Sequence, residues 1–454
     1  MTMITKHHFH MNESLTLAAT RQMQEDRLVQ QMAYLKQHSE FYQQKFAEAG
    51  VEFDDIRNIE DLALVPFTIK QELRDSLAAK PPFGMHLAAP IEQIVQVQSS
   101  SGTTGSPAYV GLTRHDVTAW SDMIARGVFA CGIRPGDFVL HAFALSKGFV
   151  GGIPILQGLQ YMDAIDIPVG ADGGLGRLLR AAADIRPRAI IGTPFFIQHL
   201  GESAPELIGC EANTLGVERL VVGGEPGGGI PSVRASLEAT WGAKVCEMMG
   251  GTDLGSIYWG ECDEQRGMHM NCPDYMITEL IDWDTGQVLP WEAGVKGELV
   301  YTALGREASP LVRFRSADRV EVLGTECACG RTGPRIRCLG RSDDMLIVRG
   351  VNVFPSAIQD IVAAMDPRRT NGVMRVWADF PGHSTQANLK VFVERQESAD
   401  TAGDATLKRH IQDNILNSLA VKTDVKIVAP GTFEPPGVKK IALVIRELPD
   451  GLSH

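Results

Sequence analysis

The sequence predicts an α/β protein: a large N-terminal domain with mostly parallel sheets plus a β subdomain, followed by a small α+β C-terminal domain. Three observations carry this. The chain has 454 residues, and single cores stop growing near ~250 to 300 residues, so two or more domains are expected. From Ile94 onward short apolar runs (IVQVQ, FVLHAFAL, MDAIDIPVG, RAIIGTPFF, RLVVGGEP) alternate with helical stretches such as GGLGRLLRAAADIRP, the pattern of strands joined by crossover helices in a covered parallel sheet. After about Asp274 the texture changes to YMITELIDWDTGQVLPW and KGELVYTALG, whose DTG turn predicts antiparallel hairpins.

Taken in order, Leu28, Met32, Leu35 and Phe46 recur at helical spacing between Arg27 and Gly50, which predicts one N-terminal packing helix ending at the glycine. The opening MTMITKHHFHMN, with His7, His8 and His10 clustered, reads as a partly vector-derived leader and is set outside the fold. The alternating region and its hairpins are assigned to residues 12–340, with the β subdomain at about 274–340. Beyond them PSAIQDIVAAM and the charged LKRHIQDNILNSL predict helices, and NLKVFVER and VKIVAP predict strands. Residues 341–454 therefore form the compact C-terminal domain, of ordinary domain size.

Hydrophobic content of 44% and charged content of 22% are those of a globular protein, which excludes disordered and fibrous classes. A formal net charge of -12 would repel nucleic acid and anionic membranes over most of the surface, so neither is an expected partner. A polyanionic ligand must be met locally instead. No apolar run approaches the ~20 residues that cross a bilayer, and no secretory leader opens the chain, so a cytoplasmic location is the expectation. Eight cysteines spread over this length do not make a secreted disulfide framework.

The stretch SSSGTTGSPAYVGLT, Ser99 to Thr113, has the chemistry of a phosphate loop. Small and hydroxylated residues let backbone N–H groups and hydroxyls crowd around phosphate oxygens, and glycine supplies the backbone freedom. It lacks the lysine of a P-loop and the G-x-G-x-x-G of a dinucleotide fold, and a plain Ser/Gly turn has the same composition. A cation must arrive from elsewhere. Four further stretches follow: GGEP at Gly223 to Pro226, MGGTD at Met249 to Asp253, VRFRSAD ending at Asp318, and GRSDDMLIVRGVNVFP at Gly340 to Pro355.

With these five motifs in this order, over roughly residues 25 to 446, the chain resembles the adenylate-forming superfamily. Within it the chain is similar to the phenylacetate-CoA ligase family, most clearly through GRSDDM and RGVNVFP. The resemblance implies an AMP-forming acid-thiol ligase using ATP, Mg2+ and coenzyme A, in which a carboxylic acid becomes an acyl-adenylate and then a thioester. It assigns Ser100, Ser101, Gly102, Thr103 and Thr104 to the phosphates, and Gly224, Glu225 and Pro226 to the adenine side. Met249 stands where the family commonly stacks an aromatic on adenine, followed by Gly250 and Gly251. Thr252 is assigned to the α-phosphate and Asp253, where the family usually has glutamate, to Mg2+. Asp318 takes the ribose hydroxyls through its two carboxylate oxygens, and Arg341 sits near ribose and phosphate.

The missing cation is implied to be a lysine of PPGVKKIALVIRE. Lys439 is preferred to Lys440 because it lies nearer Gly437, although surface lysines would read the same way. That lysine must leave before the thiol enters, so the C-terminal domain is implied to be mobile about Asp343, its hinge, with Gly350 leaving room for the thiol. Family habit implies a homodimer.

Cys327 and Cys329 lie one residue apart, and Cys262 with His269 recurs in GECDEQRGMHMN. Three thiolates and one imidazole would complete a tetrahedral structural Zn2+ site, with Cys272 or Cys338 as replacement ligands and unliganded reduced cysteines as the alternative. Some members of the resembled family have such a knot.

The acid pocket is assigned to HAFALSKGFVGGIP, with Phe143, Ser146, Lys147, Phe149 and Gly151 as contacts and Phe196 as a further ring. An aryl acid of the phenylacetate or benzoate type is the expected substrate; His141, Ser146 and Lys147 keep a small branched or 2-hydroxy acid open, because an unpaired buried ammonium is costly. Transfer to a carrier protein, or nucleotide binding without catalysis, are the rival functions.

Overall fold

The computed structural model describes residues 7–99, 109–146, 148–341, 345–349, 351–433, 442–449 and 452. Two helices, not one, open the fold: α1 (Leu17–His38) and α2 (Glu40–Ala49). Ser39 separates them because its backbone is extended (φ -107, ψ 101) and its hydroxyl caps α2 by accepting the Tyr42 N–H. The expected stop holds, since Gly50 ends α2 at φ 66 in the left-handed region. Leu28, Met32, Leu35 and Phe46 are buried together with Ile277, Leu304 and Val312. α3 spans Lys70–Ala79.

The IVQVQ run is β1 (Ile94–Ser99), and it pairs antiparallel with β2 (Tyr109–Thr113) in a separate two-stranded sheet. The expectation that it opens the parallel sheet is therefore corrected: a short connection permits a hairpin, whereas a parallel neighbour needs a crossover. α4 (Arg114–Ala130) follows, capped by Thr113 and Asp116 in a reciprocal box.

The alternating region then builds β3 (Phe138–His141), α5 (Ile153–Tyr161), β4 (Ile165–Ile167), α6 (Leu175–Ile185), β5 (Ala189–Gly192), α7 (Pro194–Glu202), α8 (Ala204–Ile208), β6 (Arg219–Val222), α9 (Pro231–Trp241) and β7 (Lys244–Gly251). Its five strands are parallel, in the order β4-β3-β5-β6-β7. β8 (Gly255–Glu261), β9 (Met268–Met270), β10 (Met276–Ile281), β11 (Lys296–Ala303), β12 (Phe314–Gly324) and β13 (Arg335–Arg341) continue this sheet antiparallel from β7 to eleven strands among the described residues. Within this large sheet antiparallel pairing thus begins with β8 at Gly255, ahead of Asp274. The sequence hid this because α4 packs along β8 and every residue of β8 is buried, which removes the alternation of a one-sided strand.

The C-terminal elements are β14 (Leu346–Val348), β15 (Val351–Val353), α10 (Pro355–Ala363), β16 (Thr370–Trp377), β17 (Ser384–Thr385), β18 (Leu389–Arg395), α11 (Asp404–Leu419), β19 (Thr423–Val428) and β20 (Val444–Ile445). The sheet β19-β18-β16-β20 and its two helices enclose Ile358, Val362, Val391, Ile411 and Ile415. No helix among the described residues is long and apolar enough to cross a membrane.

One expectation fails at the N-terminus. Phe9 is 3% exposed in a core with Ile124 and Phe129, and Glu13 forms a buried ion pair with Arg331. From residue 7 the segment belongs to the fold. A single phenylalanine among histidines carries no periodicity, so the sequence alone gave it no element.

Candidate active site

The turn between β7 and β8 carries Thr252 and Asp253. Gly251 pairs with Gly255 across it, and a side chain on Gly250 would overlap the Ser256 carbonyl, so the hairpin closes only with glycine there. Thr252 and Asp253 remain partly exposed. Asp318 reaches the same region from β12: it lies opposite Arg341 of β13, whose Nη1 is 3.1 Å from Asp318 Oδ1. Ala317, at φ 65, redirects the strand just before it. Tyr258 of β8 marks the convergence. Burial, reinforced by the Asp318 and Asp253 charges, pushes its hydroxyl well above the usual tyrosine range.

GGEP leaves β6 with Gly224 in the left-handed region at φ 84. A Cβ on Gly224 would lie 3.6 Å from the Phe143 ring and 3.9 Å from the Phe149 ring. The glycines that follow are pinned from outside: Arg234 Nε donates to the Gly228 carbonyl at 2.6 Å and its Nη2 to Glu261 Oε2 at 2.6 Å. Glu247 accepts the Gly229 N–H, and burial, together with the nearby Glu261 carboxylate, pushes its carboxyl up to about 7. Arg375 of β16 is buried among the C-terminal elements, its Nη1 donating to the Met374 carbonyl at 2.7 Å and its guanidinium 5.0 Å from the Phe433 ring centroid; burial lowers its pKa against the pull of Glu394 and of Glu225.

Phe143 and Phe149 meet at 6.0 Å between ring centroids with a 59° tilt. Gly151 fits against both, since a Cβ there would come within 2.5 Å of Phe149 and 2.9 Å of Phe143. His141, read as part of a polar wall, is fully buried and spends its nitrogens on the protein: Nε2 lies 2.8 Å from the Gly151 carbonyl and Nδ1 3.2 Å from Asp166 Oδ1. It is scaffold for Gly151. Ser146 is exposed and bonded to Asp172. Phe196 lies in the core with Leu220 and Val222, away from the other two rings, because α7 starts at Pro194 and turns its apolar face inward.

The four proposed metal ligands come together. Cys262, His269, Cys327 and Cys329 place their donor atoms within 4.8 Å of one another. The Cys262–Cys327 sulfur separation is 3.7 Å and Cys329 Sγ lies 3.6 Å from His269 Nε2. Tetrahedral Zn2+ with bonds of ~2.3 Å to sulfur and ~2.0 Å to nitrogen requires ligand separations of about 3.7 and 3.5 Å, so the donor set fits. Hydrogen bonding from Cys262, and then from His269, holds the Cys329 thiol well below its usual range. Cys272 and Cys338 fall outside the cluster: the Cys272 thiol donates to the Tyr258 carbonyl, and burial pushes Cys338 up to about 12.

Ser100, Ser101, Gly102, Thr103, Thr104, Lys147, Asp343, Gly350, Lys439 and Lys440 lie outside the described residues. Glu247, Arg234, Arg306 and Arg375 are the site-region residues that sequence reasoning missed. Each lies outside the motifs, although Glu247 stands two residues before MGGTD as the one charged residue in the run Val245 to Gly251, a signal that was there to use.

Residues 350–445 match the AMP-binding enzyme C-terminal domain family. Over 438 residues the chain is 33% identical to the phenylacetate-coenzyme A ligase of Thermus thermophilus, covering 94% of each. It superposes with a TM-score of 0.88 on 2-hydroxyisobutyryl-CoA ligase in the postadenylation state in complex with 2-HIB-AMP, at 31% identity over 96% of this chain and 91% of that one. The same ligase with 2-HIB-AMP and CoA in the thioesterification state gives 0.72, at 31% identity over 98% and 93%.

Proposed function

The chain belongs to the phenylacetate-coenzyme A ligase family, and from that membership we propose that it joins an aryl carboxylic acid, of the phenylacetate or benzoate type, to coenzyme A. The coarser activity is that of the family: ATP-dependent acid–CoA ligation by an AMP-forming acid-thiol ligase.

In this reading a carboxylate oxygen of the acid attacks the α-phosphorus of Mg·ATP, the bond to the bridging oxygen breaks, and pyrophosphate leaves with the electron pair. The coenzyme A thiol then loses its proton, its sulfur attacks the acyl carbon, and AMP departs with the electrons of the cleaved C–O bond. Asp318 accepts the two ribose hydroxyls, held in place by its contact with Arg341 at 3.1 Å. Thr252 meets the α-phosphate and Asp253 the magnesium of the substrate complex, which withdraws charge from the phosphates. Ser100, Ser101, Gly102, Thr103 and Thr104 close around the phosphates, and Lys439 brings the cation. The observation that most directly supports this assignment is the Asp318–Arg341 pair at 3.1 Å, an acid fixed by a guanidinium where the ribose is expected.

The aryl preference rests on Phe143 and Phe149, two rings that meet beside Gly151 and Gly224 and offer an apolar aromatic surface for a flat acid to pack against. A small branched or 2-hydroxy acid is the second reading, favoured by the likeness to 2-hydroxyisobutyryl-CoA ligase at TM-score 0.88. Residues 341–454 are read as a unit that turns about Asp343, letting Lys439 withdraw and the thiol pass Gly350. Residues 12–340, with 7–11 added because Phe9 packs there, form the other unit. Cys262, His269, Cys327 and Cys329 are read as a structural Zn2+ site that ties β8 and β9 to the β12–β13 connection.

A panel of aryl, branched and hydroxy acids with Mg·ATP, reading pyrophosphate and coenzyme A consumption separately, tests the reaction and its substrate. Aryl acids should give the highest kcat/KM for both products. Pyrophosphate without coenzyme A consumption would instead indicate a carrier-protein acceptor, and ATP binding with no pyrophosphate from any acid a non-catalytic binder.

A further inference from the structure

Arg306 stands in the connection between β11 and β12 and is 6% exposed. Its Nη1 donates to two carbonyls of the β7–β8 turn, those of Asp253 at 2.9 Å and Leu254 at 3.0 Å. The guanidinium lies 5.2 Å from the Trp120 ring centroid, a cation–π contact that fixes its plane. Its own backbone is bracketed by one amide side chain: Gln31 Oε1 accepts the Arg306 N–H at 2.9 Å and Gln31 Nε2 donates to the Arg306 carbonyl at 3.1 Å.

The next residue continues the link. Glu307 Oε2 accepts the Thr113 hydroxyl at 2.6 Å, and Asp116 accepts the Glu307 and Ala308 N–H groups at 3.0 and 2.9 Å. Thr113 ends β2, the strand that leaves the phosphate-loop stretch. Gly305 to Ala308 thus connects that strand to the turn bearing Asp253.

A buried guanidinium is a costly way to hold two carbonyls. Among the described residues Arg306 has no ion pair, and its Nε and Nη2 find no hydrogen-bond partner. A neutral amide would satisfy one or two carbonyls without the several kcal/mol that burying an unpaired charge costs. What the charge adds is strength: a charged donor holds each of the two turn carbonyls about twice as tightly as a neutral one would.

Resting on the ligase reading above, we propose that Arg306 is a positioning residue for adenylation. Through the Asp253 and Leu254 carbonyls it holds the turn in register with the end of β2 at Thr113, so that the Asp253 carboxylate meets the magnesium of Mg·ATP. Arg306 acts through Asp253 and does not itself touch the reacting atoms.

The test compares wild type with Arg306→Gln, which keeps a donor and loses the charge, and Arg306→Lys, which keeps the charge. ATP binding is titrated calorimetrically at a series of Mg2+ concentrations. Pyrophosphate exchange, thioester formation from synthetic acyl-adenylate and the thermal midpoint are measured beside it. Arg306→Gln should raise the half-saturating Mg2+ concentration about tenfold, the size expected for losing a charged donor, with Arg306→Lys recovering part of that rise. Thioester formation from supplied acyl-adenylate should stay within about twofold of wild type, because the magnesium-dependent step is bypassed. Wild-type Mg2+ dependence in a folded Arg306→Gln overturns the proposal, as does an equal loss in both half-reactions with a lowered midpoint. Should Arg306→Gln not fold, an unchanged Mg2+ requirement in Arg306→Lys overturns it equally. Absence of pyrophosphate exchange in wild type would strike the ligase reading, while the binding titration would still decide the role of Arg306.

Discussion

The hydroxyl of Ser232, in α9, donates to Oδ1 of Asp360, in α10, at 2.6 Å. The bond joins the helical cover of the large sheet to the C-terminal elements, and Ala363 beside it packs against the core under α9. In the ligase reading proposed above this contact would favour the present arrangement of the chain, which superposes at TM-score 0.88 on the postadenylation conformer of 2-hydroxyisobutyryl-CoA ligase against 0.72 on its thioesterification conformer.

Ser232→Ala should therefore bias the two half-reactions apart. Loss of one partly buried hydrogen bond is worth about 1 kcal/mol, or roughly a fivefold change in a two-state population. Pyrophosphate exchange should slow by about that factor at most, and thioester formation from supplied acyl-adenylate should not slow. Equal slowing of both, at an unchanged thermal midpoint, would count against the latch.

Lys439→Ala should nearly abolish pyrophosphate exchange, by about 10²-fold or more, as for removal of a charge-stabilising donor. Thioester formation from supplied acyl-adenylate should survive, because the proposed mechanism uses this cation only in the adenylation step. Lys440→Ala is the control and should retain exchange; reversed behaviour of the pair would move the role to Lys440.

What the sequence made legible follows from what each signal measures. Short apolar runs set between helical stretches disclosed the parallel strands. β8 follows β7 with no helical stretch between them, so that signal was missing for it. Asp318 and Arg341 were named separately, yet their meeting depends on the β12–β13 register, and a one-residue slip would send either side chain to the other face. Cys262, His269, Cys327 and Cys329 were legible from ligand chemistry alone. Arg306 and Arg375 were not, since a single arginine reads as surface charge until the fold shows it buried. His141 misled for the converse reason: polarity near a pocket is no evidence of facing it, and its nitrogens are turned to Gly151 and Asp166.

Glu247 predicts a pH dependence of stability. Burial pushes its carboxyl in the folded state up to about 7, above the 4.5 of an exposed glutamate, so the folded state binds the extra proton between those values. Stability is then lost as pH rises from about 4.5 through 7, by on the order of 3 kcal/mol once the buried carboxylate is ionised. Glu247→Gln keeps an acceptor for the Gly229 N–H and cannot ionise. Its midpoint relative to wild type should rise with pH, with a larger gain at pH 8 than at pH 5; a pH-independent difference would remove Glu247 as the source.

The metal cluster predicts a stability effect separable from catalysis. Purified protein should contain about one zinc per chain by elemental analysis, since three thiols and an imidazole at these separations already match its bond lengths. Cys329→Ser should lose the metal and lower the thermal midpoint by about 5 °C or more, the shift expected for a few kcal/mol in a chain of this size. The loss should be local at first. Arg331, two residues beyond Cys329, carries the buried ion pair to Glu13 and donates to the His7 carbonyl at 2.7 Å, so freeing the β12–β13 connection should also free the N-terminal segment. Hydrogen exchange in the metal-free variant should rise first at residues 7–14 and 325–334, while the five parallel strands stay protected. Uniform exchange throughout the large sheet would mean that the cluster supports the whole fold, and a zinc-free wild type with full stability would dismiss the metal altogether.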